Sequence, residues 1–440
     1  MGRSLFKIVN KRLFHSVDVS LDVARSLQVD ADRENFHKFS EQDQEAFQNV
    51  WLAVEDLYRT GMYPAIAFCL RKSNQIIYHR SLGFSDTGED NSANGTSRLM
   101  TVSTPVCYFS ASKAVTAILL HKMAEEGAIN LLLPVAKYIP EFGVFGKDKI
   151  SIYQMLSHCG GFPVVEQSPG VKGLVDRQQA LDAIYATPSQ SPNGRVQAYH
   201  PVTTGFIADE LVRRVLGISI NDYLDEVIRT PLNMQYFRYG LDEPFHSNAA
   251  KNYVTGSRPP KLLGRFLEKS FGLSIDEAVR LSNTQAFMSA VIPAGNMYGT
   301  AEEMSRFYQM LLNGGQYNGK QVLLKETIDI ALKEASPVRL DRSLYLPMRF
   351  SAGFMLGSNP IGLYGLNSEN AFGHLGFSNI LCWADPDRDI SVSMITTGKP
   401  LMGSHVVALP RFIHRVASLP KTSLIKTSTS SKNRVNKQVS

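Results

Sequence analysis

The chain has 440 residues, 44% hydrophobic and 20% charged, which suits a globular protein of two or three structural units. Its apolar runs all fall short of the roughly 18 to 20 residues of a helical membrane span. The net charge of +6 sits at the ends: Arg3, Lys7, Lys11 and Arg12 in the head, and Lys421, Lys426, Lys432, Arg434 and Lys437 in the tail, so the body is slightly acidic and offers no nucleic-acid-binding face.

The head, MGRSLFKIVNKRLFHSV, mixes basic and apolar residues at helical spacing. A short helix docked on the body is the favoured reading, with peripheral contact to an anionic membrane or organelle targeting as competitors. Residues 41 to 60 follow a helical pattern. Two strand-like runs, 65 to 71 and 75 to 80, then flank Lys72-Ser73-Asn74 as a hairpin, and a polar loop covers 84 to 98. Ser110 opens FSASKAV, followed by a helix over 111 to 126 with Val115, Leu119, Leu120 and Met123 on one face and Gly127 as its stop. Helical periodicity recurs at 176–185, 203–216, 220–229 and 275–282. Strand signals return at 352–357, 371–376, 379–384 and 390–396, the last two joined by Asp385-Pro-Asp-Arg388. The tail from 419 is Ser/Thr/Lys-rich and expected to be disordered.

Strands at both ends around a helical middle imply an α+β architecture. One antiparallel sheet is assembled from both chain ends and flanked by helices, with a helical region inserted. The expected division is a helical extension over 1–45, a sheet region from 46–105 plus 290–418, a mainly helical region over 106–289, and the tail over 419–440. A cleft between the two central units is the default site. Cys69, Cys107, Cys159 and Cys382 form no Cys-x-x-Cys pair, which suits free thiols in a reducing compartment and argues against structural zinc. A cytoplasmic location follows as the expectation.

Gly-x-Ser-x-Gly, His-Glu-x-x-His, Gly-x-Gly-x-x-Gly and Gly-x-x-x-x-Gly-Lys are all absent, so metal hydrolysis and nucleotide binding have no positive support. Ser110 and Lys113 share a helical face, where a lysine made neutral by burial and the helix dipole can take the serine proton. The same Ser-x-x-Lys spacing occurs at Ser4/Lys7, Ser418/Lys421 and Ser423/Lys426, all in the polar ends, so spacing alone leaves helix capping as an even competitor.

FSASKAVTA, KISIYQMLSHCGGFP, IPAGNMYGTAEEMSRFYQMLLNGG and FGHLGFSN, in that order, resemble segments of the penicillin-binding protein and serine β-lactamase superfamily. The likeness is strongest to class C β-lactamases and family VIII carboxylesterases and spans roughly residues 50 to 415. It implies a β-lactamase/transpeptidase-like fold and a serine hydrolase that works through an acyl-enzyme without metal or organic cofactor. It further implies Ser110 as nucleophile, Lys113 in proton transfer and Tyr199 as general base, its phenol acidified by Lys113. His374 would face the cleft near Tyr199 within His374-Leu-Gly376, and the N–H groups of Ser110 and Phe377 would form the oxyanion hole. Pro201 replaces the asparagine of the family's Tyr-x-Asn motif, which turns the expectation from lactam toward a small or short-chain ester.

A core role for Tyr199 and a packed, hydrogen-bonded role for His374 are the competing readings, while His158 is read as holding a loop and Gly160 and Gly161 as serving the backbone. A β-lactamase, a D-amino-acid peptidase, an acyltransferase and a catalytically silent binding or assembly relative stay open. The sequence leaves the oligomeric state undetermined.

Overall fold

A computed structural model describes residues 15–17, 22–88, 97–165, 170–191, 194–257 and 272–421. Most of the basic head, the middle of the 84–98 loop and the tail beyond 421 lie outside the described residues.

Eight strands form one antiparallel sheet, in the order Leu27–Val29, Gln75–Asp86, Ala65–Lys72, Ile390–Thr396, Ile380–Asp385, Phe372–Gly376 and Met355–Leu356, with Arg98–Leu99 paired to Gln75–Asp86 off that path. The two ends of the chain meet mid-sheet, where register runs from Ile66 opposite Thr396 to Lys72 opposite Ile390. In the first hairpin Ser73 and Asn74 take φ of 48° and 65°, the left-handed turn geometry that matches strand twist.

Strand alternation divides the core. Ala65, Ala67 and Cys69 face the helical body, whereas Ile66, Phe68 and Leu70 face helices Glu41–Arg59 and His405–Ala417. Both faces are covered, so the strand reads as a continuous apolar run. The small residues admit helix Ala301–Leu312 close to the sheet, where Ser305 Oγ lies 3.1 Å from Cys69 Sγ and accepting Ser305 O is 2.9 Å from Ser391 Oγ. Caps fix where these helices begin: Ser40 Oγ accepts the Asp43 N–H at 3.2 Å, and Thr300 and Glu303 form a reciprocal capping box.

The inserted region carries helices Ser112–Glu125, Arg177–Ala186, Thr203–Leu216 and Ile275–Ser282. A three-stranded sheet of Val106–Cys107, Met297–Gly299 and Arg238–Tyr239 ties its start to its end. Two local expectations change, and one helix appears that the sequence pattern did not mark. The strand over 352–357 shrinks to Met355–Leu356, because Gly353 at φ 132° brings the backbone against Ala117, where an added Cβ would lie 2.2 Å from the Ala117 Cβ. The helix over 220–229 is α-helical only over Ile220–Leu224 and then widens into a π turn over Asp225–Arg229. Helix His405–Ala417 forms although Pro410 lies inside it.

Candidate active site

Ser110 sits on a 3₁₀ turn, Phe109–Ala111, just before helix Ser112–Glu125. Phe109 has φ 48°, a left-handed conformation that costs a bulky residue of order 1–3 kcal/mol. The surroundings hold it there: the Tyr108 N–H donates to Met297 O at 2.8 Å, Tyr108 Oη to Thr300 O at 2.6 Å, and Ser112 Oγ to Phe109 O at 2.5 Å. Ser112 Oγ also accepts the Met297 N–H at 3.2 Å, so the neighbouring serine is a brace for the turn. No side chain caps the helix; the half-buried Ser110 hydroxyl is turned toward Lys113 instead.

Lys113 Nζ lies 3.2 Å from Ser110 Oγ, 2.6 Å from Pro201 O and 2.8 Å from Ala294 O, with no carboxylate among these partners. Burial pushes its pKa well below the ordinary lysine value. A neutral amine has two N–H bonds and one lone pair. Two carbonyls take the N–H bonds, which leaves the lone pair for the Ser110 hydroxyl.

Tyr199, 3% exposed, is packed on Met348, Phe350 and Met355. Its pKa is raised by burial and only partly lowered by its side-chain hydrogen bond with Ser110. Lys113 Nζ stands over the ring, 5.0 Å from the centroid. His374 lies beside it, ring centroids 6.0 Å apart. Its Nδ1 is 2.7 Å from Leu375 O, its buried Nε2 has no partner among the described residues, and burial followed by the nearby Lys113 pushes its pKa down to about 3. Gly376 is pressed on the turn that carries Ser110, since a Cβ there would lie 2.5 Å from Tyr108 O. Phe377 is half-buried, its ring 5.3 Å from that of Phe109.

A model of the Beta-lactamase family matches residues 53–412. The chain belongs to the β-lactamase family. Among curated relatives, Esterase/beta-lactamase LipL of Mycobacterium tuberculosis is 28% identical over 303 residues, 65% of this chain and 68% of that protein. Among solved structures, a penicillin-binding protein homolog from Caulobacter crescentus is 25% identical, with a TM-score of 0.70 over 85% of this chain and 98% of that one. A family VIII carboxylesterase is 24% identical with the same TM-score of 0.70, covering 84% of this chain and 96% of its own.

The β-lactamase-family fold thus brings Ser110, Lys113 and Tyr199 together, puts His374 beside Tyr199, and sets Gly376 and Phe377 against the Phe109–Ala111 turn. Further buried polar side chains pack around these residues. Asp341, fully buried, accepts the Tyr199 N–H at 3.0 Å and those of Ser343 and Leu344 at 2.9 Å. His158, at φ 60°, packs its ring at a tilt against Tyr199, centroids 4.7 Å apart, and accepts the His200 N–H at 3.2 Å. His200 is fully buried and its pKa is pushed down to about 3 by burial. Lys399 is buried with Nζ 4.9 Å from the Phe109 ring centroid and donating to Thr396 O at 2.5 Å, and burial lowers its pKa to about 7. These histidines are not arranged as ligands: among the described residues no group of three or more His, Cys, Asp or Glu is placed to hold a metal ion.

Proposed function

We propose that the protein is a carboxylesterase for small or short-chain esters, working through an acyl-enzyme on Ser110. The observation that carries the chemistry is Lys113, buried among two backbone carbonyls with its third contact on Ser110 Oγ. The Ser110 proton passes to the Lys113 lone pair as Oγ bonds the ester carbonyl carbon. The N–H groups of Ser110 and Phe377 receive the oxyanion. As the ester C–O bond breaks, the Tyr199 hydroxyl gives its proton to the leaving alkoxide and takes up in its place the proton that Lys113 received from Ser110. Water then attacks the acyl carbon, loses a proton to the same pair, and frees Ser110 and the carboxylic acid.

Two features support an ester over a lactam. The Pro201 carbonyl is committed to Lys113 at 2.6 Å, and its ring offers no amide to hold an acylamino side chain. Phe377 adds apolar bulk beside the turn. The LipL relative, named an esterase/beta-lactamase, favours β-lactam hydrolysis as the second reading. Ser110→Ala should lower hydrolysis of p-nitrophenyl acetate and butyrate by at least about 10³-fold, while the wild type turns these over far faster than a chromogenic cephalosporin. Undiminished ester turnover by Ser110→Ala would refute the mechanism, and faster cephalosporin turnover would refute the substrate class.

A further inference from the structure

The segment Val338–Arg349 folds as a hairpin, with Arg339 opposite Met348 and Leu340 opposite Pro347. Its inner side is bolted to the Tyr199 segment. Asp341 Oδ1 accepts the Tyr199 N–H at 3.0 Å, the Arg342 N–H donates to Gln197 O at 3.0 Å, and Gln197 Nε2 donates to Met348 O at 3.3 Å. Leu344 and Met348 pack with Tyr199 itself. The outer side is the opposite of what a solvated loop requires: Val338, Leu340, Tyr345 and Leu346 are each between 52% and 62% exposed.

The exposed charges among these apolar residues are Arg339 and Arg342, while the acid of the segment, Asp341, is fully buried. Leucine, valine and tyrosine interleaved with arginine on a preordered tip is the chemistry of an interfacial element. The apolar side chains enter the acyl boundary, tyrosine sits at headgroup level, and guanidinium groups meet anionic headgroups. A second copy fits less well, because a twofold contact through this face would bring the arginines of both copies together.

We propose that the hairpin Val338–Arg349 docks on an anionic lipid surface and so holds the Tyr199 segment, to which it is bonded, close to lipid-borne esters. The substrate part of this rests on the esterase reading; the docking part does not. The test is co-flotation of the full-length protein with phosphatidylcholine vesicles, with and without phosphatidylserine. The wild type should float with the phosphatidylserine vesicles, and the triple variant Leu340→Ser/Tyr345→Ser/Leu346→Ser should bind at least about tenfold more weakly. Arg342→Glu, a change at an exposed side chain, should weaken binding severalfold and only to the anionic vesicles. Tyr345→Trp should show blue-shifted emission when those vesicles are added. Hydrolysis of a soluble p-nitrophenyl ester should be unchanged in all three, which also reports that they are folded. The proposal is overturned if the wild type stays with the bulk solution, or if both the triple variant and Arg342→Glu float like the wild type. Loss of flotation in the variants of a protein that hydrolyses no ester would leave the docking surface standing and remove the esterase reading.

Discussion

Lys113 is the residue on which the account turns, because its usefulness depends on being uncharged. Its folded-state pKa is depressed by burial, so the neutral form persists to a lower pH than for a free lysine. Esterase kcat/KM should therefore fall as pH drops through that depressed value and stay high on its alkaline side. Lys113→Arg cannot lose its proton at any accessible pH and should cost about 10²- to 10⁴-fold across the whole profile. A profile insensitive to pH down to the carboxylate range, with Lys113→Arg still active, would count against a lysine base. Ser110, Lys113, Tyr199 and His374 were legible from ordered motifs, whereas Asp341 and Lys399 were not. Asp341 acts through a carboxylate that bonds the Tyr199 backbone from 142 residues away, and a lone aspartate in a loop has no local signature. The electrostatic state of Tyr199 was equally hidden, since it is set by the burial that only the fold supplies.

Elements position these residues through close approaches that tolerate little change. The strand Phe372–Gly376 ends against the Ser110 turn at Gly376, where a Cβ would meet Tyr108 O at 2.5 Å and Ile380 Cβ at 2.8 Å. Gly376→Ala must part the strand from the turn. It should cost about 1–3 kcal/mol of stability, and a displacement near 1 Å at the oxyanion donors should lower kcat by roughly 10²-fold. Thermal melting and ester kinetics together check this; a variant with a lowered Tm but full kcat would show that the contact matters for packing alone. Periodicity revealed the long elements because their faces are uniform along their length, as in Glu41–Arg59 and Thr203–Leu216. It missed His405–Ala417, where Pro410 interrupts the donor pattern, and the two-residue strands around Met297, which exist only through pairing with distant partners.

For the whole molecule, the sheet is a joint between the two ends of the chain, so its stability depends on C-terminal residues that come late in the sequence. Phe412 and Val416 of the final helix lie in the same core as Phe68, Trp383 and Val54, with the Phe68 and Phe412 rings 5.9 Å apart. A chain ending at 404 should fail to fold, because it uncovers that face, whereas one ending at 421 should keep its melting temperature and ester rate. Circular dichroism melts of the two truncations check this, and a stable, active chain ending at 404 would contradict the sheet-joint description. The joint was foreseeable from strand signals at both ends; which helices cover which face was not, because Ala65 to Leu70 is apolar on both sides. The most direct test of an acyl-enzyme on Ser110 is mass spectrometry of the species trapped by mixing the protein with p-nitrophenyl acetate and quenching in acid. One acetyl group is expected on the peptide containing Ser110 and none in Ser110→Ala; acetylation at another residue, or turnover persisting in that variant, would contradict the mechanism.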